Sequence, residues 1–126
     1  MKIQRFEDVI AWQKAKTLVI EVHKDFASIR DLSFKDQLFR ASIPTMNNIA
    51  EGFDRDTVKE LKYFLHIARG SNAEVRSMLI AAPELSYTSK ERGQELVALS
   101  EEISKILSGF IRSLKVDYKS SSKTIN

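Results

Sequence analysis

Apolar residues recur along most of the chain at steps of three and four, the spacing that lines one face of an α-helix, and they separate into four segments. From Phe6 to about Ile29, Val9/Ile10, Leu18/Val19, Val22, Phe26 and Ile29 fall on one side, with Lys14, Glu21 and Lys24 elsewhere. The stretch SIRDLS breaks that pattern. Ser33 followed by Asp36 resembles a capping box and predicts a second helix from about Phe34 to Gly52. Gly52 is expected to close it, because a residue without a Cβ takes up the left-handed conformation that often ends a helix. Thr57 with Glu60 is a further capping box, opening a third segment striped by Val58, Leu61, Phe64/Leu65, Ala68, Val75, Met78/Leu79, Ala82 and Leu85. If unbroken to Ser86, that helix would be about 45 Å long. Thr88 with Glu91 predicts the start of a fourth, carrying Leu96, Leu99, Ile103, Ile106/Leu107, Phe110 and Leu114.

Two residues bear on the continuity of the third segment. Pro83 removes a backbone donor and is expected to kink or end the helix near its C-terminus. Gly70, beside Ser71, reads as a point where a neighbouring helix approaches closely. Short connections favour antiparallel neighbours, so the pattern predicts an all-α fold, an up-down-up-down four-helix bundle over residues 1–116. The polar, serine-rich tail at 117–126 has the composition of a disordered segment. The second helix carries two stripes, Phe39, Ile43, Met46, Ala50 and Phe53 beside Leu38, Ser42, Thr45, Ile49 and Gly52. Either it is buried on several sides within the bundle, or one stripe packs in the bundle and the other on another subunit.

Composition narrows the chemistry. The chain has 126 residues, with only four Gly and two Pro, which fits one helical domain. With no cysteine, disulfides, thiolate nucleophiles and sulfur-ligated metals are excluded. Arg5, Glu7, Asp8 and Lys14 interrupt the N-terminal stretch, so it lacks the apolar core of a signal peptide. No apolar run approaches the roughly 20 residues of a membrane span, and the chain reads as cytoplasmic, without a membrane partner. The net charge of +3 permits nucleic-acid contact without requiring it, since acidic residues are interspersed almost everywhere.

Catalytic signatures are missing. A di-iron bundle needs Glu-x-x-His spacing, but Ile20 and Tyr63 stand three residues before His23 and His66. Two isolated histidines make no zinc motif, and neither glycine-rich phosphate loop is present. His66 lacks an Arg shortly upstream, the nearest being Arg55, and Glu51, Glu60 and Glu74 read as ion-pair and capping groups. The expectation is a protein that is not an enzyme and uses no cofactor. Arg112, Lys115, Lys119 and Lys123, with Tyr118 beside them, form a candidate nucleic-acid contact at the C-terminal end; the same cations also complement a helix dipole.

The stretch RASIPTMNNIAEGF (40–53), Arg55, and ELKYFLHIARGSNAEV beyond them resemble the four-helix-bundle family first associated with open reading frames inside intervening sequences of bacterial 23S rRNA genes. FEDVIAWQKA looks like that family's opening pattern, and the resemblance extends from Phe6 to about Leu114. One departure is that Met46 stands where the family often has proline, with Ser42-Ile43-Pro44 falling two residues early; another is Pro83. The resemblance implies an antiparallel four-helix bundle assembling into a cyclic homopentamer with a central channel. A diverged relative, the accessory protein of diversity-generating retroelements, binds a reverse transcriptase and nucleic acid. Within the motif Arg40, Asn47, Asn48, Glu51, Gly52, Arg55 and Glu60 are the structural candidates. Asn48 and Glu51 are expected to tie the end of the second helix to the backbone of the next connection and to Arg40 or Arg55. Two functions follow as expectations: an oligomeric scaffold binding structured RNA or DNA through repeated basic surface, or a protein-interaction module such as an accessory subunit of a reverse transcriptase.

Overall fold

The computed structural model describes residues 5–114, so the expected tail and the candidates Lys115, Lys119 and Lys123 lie outside the described residues. A 3-10 turn at Phe6–Asp8 leads into four helices: α1 (Ile10–Phe26), α2 (Leu32–Phe53), α3 (Val58–Ala81) and α4 (Lys90–Ser113). Each consecutive pair packs together and α1 returns against α4, while the diagonal pairs stay further apart; α2 and α4 meet across the bundle through the Phe53 and Phe110 rings, edge-on at 5.4 Å. The helices therefore stand at the corners of a square, each connected by a short turn to an antiparallel neighbour. The core is where the four stripes meet, with Leu18, Phe26, Leu38, Ile49, Leu61, Leu65, Leu79, Leu96, Ile103 and Leu107 essentially without solvent exposure. Burying each such side chain contributes about 1.5–3 kcal/mol.

Three helix ends differ from expectation, one of them because of a partner distant in sequence. The cap of α2 is Asp31, whose Oδ1 accepts the Phe34 amide at 3.0 Å, not Ser33. Asp31 is held there by the Tyr87 hydroxyl, which donates to its Oδ2 at 2.6 Å from the turn between α3 and α4. The Phe34 ring meets the Tyr87 ring edge-on at 4.9 Å and tilts towards Phe26 at 6.4 Å, sealing that end of the bundle. The cap of α4 is Ser89, accepting the Arg92 amide at 3.0 Å, not Thr88. Thr88 turns its methyl inward instead, towards Gly93. Helix α1 stops at Phe26, short of Ile29, and the Ala27 carbonyl accepts from Lys35 Nζ at 3.1 Å. Thr57 does cap α3, accepting the Glu60 amide at 3.1 Å and donating to the Glu60 carboxylate at 2.9 Å.

Helix α3 ends at Ala81, and one further turn carries Pro83 before the chain reverses. The Tyr87 amide donates to the Ala82 carbonyl and the Ser86 amide to the Pro83 carbonyl, with Ser86 left-handed at φ 63°. This paired closure is the one usually built on glycine. Pro83 then lies against α4 where Gly93 leaves room: a Cβ at Gly93 would stand 2.5 Å from Pro83 Cγ.

The close approach expected at Gly70 is found at Gly52 instead. Gly52 is buried inside α2, no glycine has positive φ, and a Cβ there would sit 3.0 Å from Leu61 Cδ1, 3.1 Å from Phe64 Cβ and 3.3 Å from the Leu61 carbonyl oxygen. It is a point of close approach between α2 and α3. Gly70 is exposed, with nothing within 4 Å of an added Cβ. Of the two stripes on α2, Leu38, Ser42, Thr45, Ile49 and Gly52 are buried, while Phe39, Met46, Ala50 and Phe53 are half-covered.

Two tests follow. Gly52→Ala should destabilise the protein by about 1–3 kcal/mol through overpacking, whereas Gly70→Ala should stabilise it by about 0.5–1 kcal/mol through helix propensity; thermal melts of both variants check the assignment. The Tyr87 hydrogen bond, followed by the Phe34 amide, holds the Asp31 carboxyl below the ordinary aspartate range. A depressed carboxylate contributes stability above its unfolded-state value and loses it as pH falls through the folded-state value. Tyr87→Phe should therefore lower Tm at neutral pH, with the gap to the parent closing in acid; a gap independent of pH would contradict the assignment.

Candidate functional site

The motif residues of α2 divide between its faces. Arg40, Asn47 and Glu51 are exposed along one side, spaced seven and four apart. Glu51 pairs with Arg55 Nη2 at 2.7 Å, not with Arg40, and both side chains are nearly half exposed, at 47% and 43%. Such a pair contributes at most about 1 kcal/mol. Arg40 instead borders a polar recess of about 470 Å³ with Asp36, Gln37 and Glu74. Asn48 Nδ2 donates at 2.8 Å to the Pro44 carbonyl one turn back in its own helix, not to the following connection. Arg55 lies 5.1 Å over the Phe64 ring, and Glu60 completes the Thr57 cap. The corner between α2 and α3 is thus held by the Gly52 approach, the Thr57 cap and the Arg55–Phe64 contact.

Electrostatics draw the eye to another face. Residues 62, 69 and 76 are two helical turns apart, so Lys62, Arg69 and Arg76 share the flank of α3 next to α4, with exposed Lys59 beside them. Across the seam, the matching flank of α4 carries Lys90, Lys105 and Arg112, with Glu101 as the carboxylate among them. The register that brings these together is fixed by three contacts. Asn72 Nδ2 donates to the Ser100 carbonyl at 2.8 Å while Ser100 Oγ donates to Asn72 Oδ1 at 3.1 Å, both fully buried. Arg69 Nη1 donates to Ser108 Oγ at 3.1 Å, and Pro83 seats on Gly93.

Acidic groups collect elsewhere. Glu21 and Asp25 of α1 hold Arg92 of α4, through Arg92 Nη2 at 3.1 Å and a very short contact from Nε, while Lys14 meets Glu102 at 2.7 Å. Those carboxylates keep the Arg92 guanidinium above its ordinary range, Asp25 contributing most. Charges that alternate along the sequence are therefore sorted by the fold. Of the C-terminal candidates, Arg112 is the one within the described residues, and it lies on the basic face.

The opposite side of the square carries an apolar strip, with Lys16 Nζ 5.6 Å over the Trp12 ring beside it. Trp12, Val19, Phe39, Met46 and Ala50 are half-covered along the seam of α1 and α2, with Ile20 46% and Ile43 36% exposed. His23 stacks on Phe39 with 3.8 Å between ring centroids, its Nδ1 at 2.8 Å from the Val19 carbonyl. A notch of about 670 Å³ opens at the end of the α3–α4 seam, lined by Leu79, Ile80, Pro83 and Val97 together with Glu84, Lys90 and Glu101. Among the described residues no group of His, Asp and Glu gathers as metal ligands, and no helix is long and apolar enough to cross a membrane.

Sequence reading missed the Asn72–Ser100 pair and the basic face. Each polar residue interrupts an apolar stripe, which is a signal of a buried contact but not of its partner. For the corner, Thr57→Ala should cost about 0.5–2 kcal/mol and Glu51→Ala at most about 1 kcal/mol, as read by thermal denaturation; the reverse order would return the corner's stability to the ion pair.

The comparisons with known proteins agree with this architecture. A crystal structure of a protein with unknown function from the S23 ribosomal protein family of Bacteroides thetaiotaomicron superposes with a TM-score of 0.76 at 18% identity, covering 84% of this chain and 98% of that one. At that identity the likeness is one of fold. No curated protein matches the chain. Residues 7–109 match the family described as 23S rRNA-intervening sequence protein. The chain belongs to the 23S rRNA-intervening sequence protein family.

Proposed function

We propose that this protein is a non-enzymatic, oligomeric helical scaffold that binds structured RNA or DNA through the basic face of α3 and α4. The observation that carries the reading is the sorting of charge. Lys59, Lys62, Arg69, Arg76, Lys90, Lys105 and Arg112 share one side, with Glu101 and Glu84 beside Lys90 at one end of it, although the whole chain is only +3. A surface of this kind binds phosphates by counterion release and needs no base-specific contacts. The apolar seam of α1 and α2 on the opposite side supports self-association there, which would leave the basic face turned outward. In the cyclic pentamer implied by family resemblance, weak contacts by each subunit would combine by multivalency.

A second reading, an accessory subunit of a reverse transcriptase or another nucleic-acid enzyme, is favoured by the apolar notch at Leu79, Ile80, Pro83 and Val97, which would admit a side chain of a protein partner.

Light scattering followed by RNA-duplex and DNA-duplex binding at two salt concentrations tests the first reading. The expected result is a pentamer mass, against 14.4 kDa for one chain, with affinity that falls steeply as salt rises. Ile43→Glu should break the assembly, and the double variant Lys59→Glu/Lys105→Glu should weaken binding without changing the mass. Binding indifferent to salt, or absent at low salt, overturns the nucleic-acid reading.

A further inference from the structure

We propose that Arg69, His66 and Ser108 form a preorganised phosphate-anchoring site within the basic face, which grips a phosphodiester while the surrounding cations act as a diffuse field; this rests on the nucleic-acid reading above. Arg69 differs from the other arginines that the structure ties down. Arg5, Arg55 and Arg92 each meet a carboxylate, so their charge is locally compensated. Arg69 is fixed by two neutral acceptors, Ser108 Oγ from Nη1 and His66 Nδ1 from Nη2, each at 3.1 Å. No carboxylate lies within ion-pair distance of it among the described residues. Its orientation is thus set in advance while its charge stays uncompensated, and the planar fork of a guanidinium suits the paired oxygens of a phosphate.

The two supporting residues also become donors. A guanidinium can only donate, so His66 Nδ1 accepts and the ring proton sits on Nε2, free to donate from an exposed side chain. Ser108 accepts from Arg69 and keeps its own hydroxyl proton to give away. Arg112 stands one turn beyond Ser108 on α4, and its Nη2 reaches back to 3.8 Å from the position a Gly109 Cβ would occupy. Every group at this point donates, and the ligand class it suits is a phosphodiester or phosphate anion.

The test uses the full chain with two probes: a labelled RNA duplex, with the DNA duplex of the same sequence, and inorganic phosphate followed by NMR at Ser108 and His66. Arg69→Gln should weaken duplex binding by about tenfold or more and lower the salt slope by about 1. Arg76→Gln removes the same charge from the same flank and should cost only about twofold to threefold. Arg69→Lys should retain the slope without restoring the affinity. Phosphate should shift the Ser108 and His66 signals in the parent and not in Arg69→Gln, with unchanged thermal melts confirming that the variants fold. Equal losses in Arg69→Gln and Arg76→Gln overturn the anchor and leave the nucleic-acid reading standing. Phosphate shifts without duplex binding support the anchor and remove that reading; no response to either probe removes both.

Discussion

The buried Asn72–Ser100 pair is the constraint on which the basic face of α3 and α4 depends. Apolar side chains on two antiparallel helices can slide past one another by a turn with modest loss, because dispersion and burial carry no direction. A carboxamide donating to one backbone carbonyl and accepting from one hydroxyl has a single satisfactory register, and orphaning such buried groups costs about 1–3 kcal/mol apiece. That register sets Arg69 beside Ser108 and Pro83 on Gly93. A slip of one turn would move the basic flank of α4 by about 5.4 Å relative to that of α3. Thr45 Oγ1, buried without a hydrogen-bond partner, shows by contrast that a polar group on α2 contributes no comparable tie.

The four seams of the square are held by different physics. Between α2 and α3 the backbones come close at Gly52, where a missing side chain sets the spacing. Between α3 and α4 buried hydrogen bonds set the register. Between α1 and α4 charges do the closing: Arg92 is shared by Glu21 and Asp25, and Lys14 meets Glu102. Drawing the carboxylates to that seam is what leaves the outer side of α3 and α4 basic. Between α1 and α2 the contacts are aromatic and apolar, and they extend outward to Ile20 and Ile43.

Much of the fold was legible because helical periodicity is a local property. Number, order and approximate limits of the helices, the Thr57 cap and the termination near Pro83 all follow from residues within a few positions of one another. The caps at Asp31 and Ser89 were shifted by one or two residues because several hydroxyl or carboxylate groups stood near each start. The choice among them was made by Tyr87, fifty-six residues from Asp31, and by the inward packing of Thr88. The motif around Asn48 and Glu51 was visible as a pattern, yet its bonds turned out local, to Pro44 and Arg55.

The sequence by itself determined an all-α chain of four amphipathic helices, the absence of thiol chemistry and membership of a family by its spaced motifs. Only the tertiary structure decided which glycine marks a close approach, since an absent Cβ has no meaning until a neighbouring helix is placed beside it. It alone decided the electrostatics too. Cations at positions 59 to 112 read as part of an evenly mixed sequence, and become one surface only when antiparallel packing folds α4 back along α3 and charge pairing draws the acids to the other seam.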